Sequence, residues 1–166
     1  IAIADQLGTP FHLLKEVEKI NTRQFTRFLD AIREALWLFK EKKIAVWGLS
    51  FKPNTDDVRS SVAIHIVETL VKEGAQVTAY DPKGMENAKM LPWADQLTFA
   101  DSPMDCVDGA EALIVATEWP EFASQDFVEV KNRMLAPLIF DGRNLLDTTT
   151  MKELGFRYTG IGRGAA

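Results

Sequence analysis

Apolar positions along this chain change their spacing once, near residue 43, and the change divides it into two regions. From Leu13 to Phe39 they recur at steps of three or four, through Val17, Ile20, Phe28, Ile32 and Leu36, the spacing of one face of an α-helix. Thr9 and Pro10 supply a start signal, a hydroxyl cap followed by proline at the first helical position. Nothing in the sequence breaks the pattern before Lys43, and Lys40, Lys42 and Lys43 fall where a last turn would favour basic side chains. A helix of about 33 residues spans roughly 50 Å, more than a small domain buries against itself. The sequence therefore predicts a connector over residues 1–43 that packs on further chain, on another subunit, or on both. The competing reading is an ordinary amphipathic helix with a hidden break.

Beyond Lys43 short apolar runs alternate with amphipathic stretches. "KIAVWG" (43–48), "AQVTAYDP" (75–82), "LTFA" (97–100), "ALIVAT" (112–117), "PLIFDG" (137–142) and "RYTGIG" (157–162) read as strands, the last at an edge. Residues 60–73, 84–91, 103–109, 120–134 and 147–154 read as helices, the first closed by Gly74. Strands alternating with helices imply right-handed βαβ units and a sheet covered on both faces. The expected fold is α/β: a doubly wound, mostly parallel Rossmann-like sheet over residues 44–162, preceded by a long α-helix. Residues 163–166 read as a disordered tail.

Composition narrows the partners. Of 166 residues, 46% are hydrophobic and 26% charged, and the formal net charge of −5 argues against nucleic acid or an acidic membrane surface. An anionic ligand must then be held by a few local cations. The single cysteine, Cys106, excludes an internal disulfide and suits a reducing, cytoplasmic location. No apolar run approaches the roughly 20 residues of a membrane span. The opening "IAIADQLGTP" lacks the basic leader of a signal peptide and reads as the end of a helix from a longer chain.

In doubly wound sheets ligands bind beyond the carboxyl ends of the strands, where strand order reverses. That rule selects the loop from Gly48 to Arg59, Asp81, the pair Thr117 and Glu118, and the turn Asp141, Gly142 and Arg143. Lys52 is a point charge suited to a diphosphate, whereas Arg59 and Arg143 carry planar forks that hold phosphate or carboxylate. Phe51 can cover a flat part of the same ligand. The bland alternative leaves Lys52 solvated and pairs Arg59 with Asp56 or Asp57. "GLSFKP" offers one glycine where a dinucleotide fingerprint wants three, so no self-sufficient NAD site is expected. Asp81 either mimics a ribose-binding acid or simply ends its strand in a "DP" turn. Cys106 reads as core, with no basic neighbour to stabilise a thiolate. His12 and His65 read as structural, Trp37, Trp47, Trp93 and Trp119 as core or interface, and no metal constellation appears.

These stretches also carry a resemblance. "GLSFKPNTDDVRSS" (48–61), "GAQVTAYDP" (74–82), "ALIVATEWPEF" (112–122) and "IFDGRNLLD" (139–147) resemble the UDP-glucose/GDP-mannose dehydrogenase family. "ADQLGTPFHLLKEVEKINTRQ" (4–24) is similar to that family's central helix, and "FKPNTDD" looks like its UDP-glucose branch. The mannose and aminosugar branches differ in the two positions after the lysine. The resemblance implies a four-electron, NAD-dependent oxidation of UDP-glucose to UDP-glucuronate through a cysteine thioester, serving polysaccharide biosynthesis. It implies an NAD-binding N-terminal domain, a long helix that builds a homodimer, and a C-terminal domain that holds UDP. By the same resemblance Phe51, Lys52 and Arg143 contact substrate, and Arg59 reaches NAD across the interdomain cleft. The glycine fingerprint, the acid/base lysine and the nucleophilic cysteine would lie upstream of residue 1, so the chain by itself is expected to be inactive. The alternatives are a free-standing nucleotide-binding or dimerisation module without redox activity, or the same domain from a GDP-mannose or UDP-aminosugar dehydrogenase.

Overall fold

A computed structural model describes residues 12–163. Six strands form one sheet: β1 (Lys43–Trp47), β2 (Gln76–Tyr80), β3 (Leu97–Phe99), β4 (Ala112–Val115), β5 (Leu138–Asp141) and β6 (Arg157–Gly160). Their order is β3-β2-β1-β4-β5-β6 and every pairing is parallel. Each expected strand is present within one or two residues, and β6 lies at an edge as expected. The runs of β1, β4 and β5 are legible because a strand covered on both faces is apolar at nearly every position, whereas β2 and β6 alternate buried with more exposed positions.

Two cores sandwich the sheet, and β1 shows how one strand feeds both. Ile44 and Val46 point into the core built by α1 (His12–Leu36) and α2 (Val62–Lys72). Ala45 and Trp47 point into the opposite core, as the two-residue period of a strand requires. That second core is roofed by α4 (Pro103–Cys106), α5 (Pro120–Ala123), α6 (Phe127–Arg133) and α7 (Thr148–Glu153). The remaining helix, α3 (Met85–Lys89), follows β2. Trp47 is fully buried, stacks on Phe122 at 5.2 Å between ring centroids, and donates from Nε1 to the Pro103 carbonyl at 2.9 Å. An indole so placed is satisfied at its polar edge and contributes its whole apolar area.

The first helix departs from its sequence pattern. The start at Thr9 and Pro10 lies outside the described residues, but the end is clear: α1 stops at Leu36, not Lys43. Trp37 turns left-handed (φ 70°) and donates its N–H to the Arg33 carbonyl at 2.7 Å. Glu41 is also left-handed (φ 65°), with its N–H on the Gly74 carbonyl at 2.8 Å. Between them Phe39 drops into the core with the Arg33 guanidinium 5.4 Å above its ring. Burying that ring and starting β1 outweigh two left-handed residues at about 1–2 kcal/mol each. Lys40 and Lys42 therefore sit in a turn, where Lys42 pairs with Glu111 at 2.6 Å, and Lys43 opens β1.

A second correction concerns residues 120–134, which form two helices. Asp126 caps the second, accepting from the N–H groups of Val128 (2.9 Å) and Glu129 (3.2 Å). Aspartate favours that role over a helix interior. At the end of the chain Arg163 donates to Thr148 Oγ1 at 3.0 Å, which ties down the first residue of the expected tail; residues 164–166 lie outside the described ones. Among the described residues no helix is long and apolar enough to cross a membrane.

Candidate functional site

The strand order reverses between β1 and β4, whose crossovers leave on opposite sides and open a crevice at their carboxyl ends. Gly48 begins the rim there with φ 96°. A Cβ on it would lie 2.5 Å from Thr117 Cβ, so only glycine lets β1 and β4 close at this point.

Asp81, at the end of β2, builds the next step. Its Oδ2 accepts from the N–H groups of Leu49 (2.7 Å) and Ser50 (2.9 Å), and from the Ser50 hydroxyl at 2.8 Å. Trp119 Nε1 reaches the same oxygen at 3.2 Å, while Oδ1 accepts from the N–H groups of Lys83 (2.9 Å) and Gly84 (2.6 Å). Burial would raise this carboxyl's pKa, but the backbone donors from Leu49, Ser50, Gly84 and Lys83 outweigh it and hold it below the usual range. The side chain is fully buried with both oxygens engaged by protein. Of its two readings, Asp81 takes the structural one and is the anchor of the first loop. Thr117 Oγ1 adds a bond to the Ser50 carbonyl at 2.7 Å.

With Leu49 and Ser50 pinned, the loop emerges at Phe51 and is closed by the bond from its N–H to the Asp57 carbonyl at 2.8 Å. Phe51 and Lys52 are exposed on this loop. Lys52 makes no hydrogen bond or ion pair with any described residue. Arg143 approaches from the end of β5. Its N–H is fixed by Asp141 Oδ1 at 2.9 Å, while Asp141 Oδ2 takes the N–H of Leu146 (2.8 Å) and the Tyr158 hydroxyl (2.9 Å). Its guanidinium donates from Nη2 to the Phe51 carbonyl at 3.2 Å and lies with Nε 2.7 Å from Glu118 Oε2. Arg143 also lines a cavity of about 320 Å³ between α1, the start of α2 and the ends of β4 and β5, beside Phe28, Val62, Ala116 and Gly142.

Arg59 behaves differently. Its Nε and Nη2 bind Asp57 Oδ1 (3.0 Å) and Oδ2 (2.9 Å), which is the bland pairing. The side-chain and backbone hydrogen bonds from Arg59 lower the Asp57 pKa to about 2. Its side chain is 88% exposed.

Thus the structure joins the Phe51 carbonyl to Arg143, leaves Lys52 exposed as the next residue of that loop, and keeps Arg59 on Asp57. What sequence reasoning missed is the set of carboxylate partners: Asp81 as loop anchor and Glu118 as the ion-pair partner of Arg143. No spacing rule could find them, since these partners lie 25 to 38 residues apart. Cys106 is buried in the second core with its pKa pushed to about 12 by desolvation. His12 and His65 are both exposed. Trp47 and Trp119 are core, Trp93 packs at its margin, and Trp37 is 90% exposed.

A family model described as "UDP-glucose/GDP-mannose dehydrogenase family, UDP binding domain" matches residues 45–148, which include all four of these candidate residues. The chain belongs to the UDP-glucose/GDP-mannose dehydrogenase family. It is 39% identical over 171 aligned residues to a UDP-glucose 6-dehydrogenase of Pseudomonas aeruginosa, covering 100% of this chain and 38% of that protein. To the Rhizobium meliloti enzyme of the same name it is 41% identical, covering 98% of this chain and 37% of the relative. The chain thus spans little more than a third of the curated relatives it matches. Among solved structures, a UDP-glucose dehydrogenase from Pyrobaculum islandicum superposes with a TM-score of 0.82 at 29% identity, over 97% of this chain and 34% of that one. A UDP-D-ManNAc dehydrogenase from Pyrococcus horikoshii gives 0.80 at 30% identity, over 98% and 36%.

NAD, which the family implies, does not fit the crevice of this sheet on its own. Gly48 is filled against Thr117 and forms no cradle, and the acid at the end of β2 is spent on loop amides. A dinucleotide would need donors from elsewhere in the protein.

Proposed function

We propose that this chain supplies the substrate-holding part of an NAD-dependent dehydrogenase that oxidises UDP-glucose to UDP-glucuronate. In this reading Lys52 and Arg143 clamp the diphosphate, Phe51 covers a flat face of the ligand, and the catalytic cysteine and cofactor site belong to another part of the protein. The observation that supports it is the 3.2 Å bond from Arg143 to the Phe51 carbonyl, which joins the end of β5 to the loop carrying Lys52, a lysine with no partner among the described residues. Such a clamp contributes binding energy that positions a remote sugar carbon for chemistry done by other groups.

Arg59 keeps its fork on Asp57 with its side chain 88% exposed, which suits a cofactor held across a cleft that would take it from that carboxylate. The exposed face of α1, carrying Leu13, Val17 and Ile20, suits the same face of a second copy. Calorimetric titration of UDP tests the reading. Saturable binding weakened by Lys52→Ala and by Arg143→Ala is expected, and no binding, or affinity untouched in both variants, would refute it. With UDP-glucose and NAD⁺ added to the chain, no NADH above background is expected.

A further inference from the structure

The tripeptide Thr117-Glu118-Trp119 leaves β4 with its side chains alternating. Thr117 and Trp119 are buried and bond to Ser50 at 2.7 and 3.1 Å, fixing the first loop. Glu118, between them, turns toward the rim and meets Arg143 Nε at 2.7 Å. Both partners keep more than a third of their side-chain surface exposed, at 34% for Arg143 and 41% for Glu118, so solvent screens the pair and little fold stability comes from it. Its effect is geometric. A guanidinium has five N–H donors; one on Nη2 is spent on the Phe51 carbonyl, while Glu118 holds the fork by a close ion-pair contact at Nε without hydrogen-bond geometry. Two points of attachment fix the plane of an otherwise rotatable side chain and leave the other donors for a ligand.

We propose that Glu118 is a positioning residue for the diphosphate clamp: its carboxylate holds the Arg143 guanidinium in place against the Phe51–Lys52 loop. The inference rests on the reading of Arg143 as a diphosphate ligand. It has two consequences of opposite sign. The oxygen in ion-pair contact with Nε aims the arginine, so losing it lets the fork wander and raises the ordering cost of binding. The negative charge, by contrast, opposes an incoming anion. Glu118→Gln keeps an accepting oxygen and removes the charge, whereas Glu118→Ala removes both.

The test is a calorimetric titration of UDP into the parent chain, Glu118→Gln, Glu118→Ala and Arg143→Ala, with the melting temperature of each recorded. The expected order is Glu118→Gln tightest, by roughly two- to threefold over the parent, and Glu118→Ala weakest of those three, by roughly fivefold, at similar melting temperatures. If Glu118→Ala binds UDP as tightly as Glu118→Gln while Arg143→Ala loses binding, the clamp stands and the role of Glu118 is overturned. If the parent binds no UDP, or Arg143→Ala binds it as the parent does, the clamp itself fails and this inference goes with it.

Discussion

Arg143 and Phe51, 92 residues apart in sequence, meet through a 3.2 Å hydrogen bond from the guanidinium of one to the backbone carbonyl of the other. The bond fixes the distance between the loop after β1 and the turn after β5, and with it the width of the mouth in which an anion would sit. Replacing Arg143 by alanine removes both a ligand donor and this spacer. We expect UDP affinity to fall by roughly 1–3 kcal/mol, as for other charge-assisted contacts. Arg143→Lys should recover only part of it, because an ammonium cannot bond the carbonyl, Glu118 and a phosphate with one planar fork. Lysine matching arginine in the titration would remove the geometric argument.

Asp81→Asn should loosen the same loop from beneath. Asparagine offers one accepting oxygen where Asp81 uses two, so buried donors at Lys83 and Gly84, or at Leu49 and Ser50, lose their acceptor. A loss of about 1–3 kcal/mol in unfolding free energy is expected. The pH dependence carries a definite sign. The carboxyl's pKa is depressed in the folded chain, so its stabilisation is present above the unfolded value near 3.9 and is lost as pH falls through the folded one. Urea unfolding of parent and variant should differ at neutral pH and converge in acid. A gap that widens on acidification would contradict the assignment.

What the sequence made legible was decided by how local the determinants are. The central strands were readable because "KIAVWG", "ALIVAT" and "PLIFDG" are apolar on both faces, β2 and β6 because buried positions alternate with more exposed ones, and the rim positions follow from strand ends alone. The end of α1 was not readable: Trp37, Leu38 and Phe39 continue an apolar pattern with neither glycine nor proline, and only the core's demand for Phe39 reverses the chain. Arg59 offered two readings, and the short span to Asp57 decided the free chain in favour of pairing. Glu118 and Asp81 were placed on the rim by their strand ends, yet their partners depend on loops brought together only by folding.

Gly48 and Gly109 provide a matched pair for the cost of a side chain. Both have positive φ, 96° and 68°, but a Cβ at Gly109 would meet nothing within 4 Å, whereas at Gly48 it strikes Thr117. Gly109→Ala should cost only backbone strain, about 1–2 kcal/mol. Gly48→Ala adds a clash between β1 and β4, and we expect on the order of 3 kcal/mol or more together with loss of UDP binding. Equal melting temperatures for the two variants would show that the β1–β4 contact yields more easily than its geometry implies.

Cys106 should be chemically silent in the folded chain. Its Sγ lies 3.3 Å from the Thr78 carbonyl and 3.6 Å from that of Val46, and desolvation raises its pKa to about 12. Thiolate is the reactive form, so alkylation at pH 8 should proceed only through unfolding and accelerate with denaturant. Rapid labelling without denaturant would mean that α4 opens far more readily than its packing suggests.

The exposed half of α1 yields a prediction about assembly. Leu13, Val17 and Ile20 are 71%, 41% and 53% exposed and, at steps of four and three, share one face. Farther along, Phe28, Leu29, Ile32 and Leu36 bury themselves on the sheet. A helix that is anchored at one end and presents an uncovered apolar stripe at the other gains by pairing that stripe with its own copy, since a two-fold contact needs only one surface to be self-complementary. We expect the chain to sediment as a dimer at micromolar concentration. Leu13→Glu combined with Ile20→Glu should shift it to monomer, because each charge would be buried against apolar surface in the paired form. The melting temperature of that monomer at low concentration should match the parent's, as neither residue belongs to the chain's own core. A parent that sediments as a monomer throughout would leave the stripe to some other part of the protein and exclude self-pairing as its use.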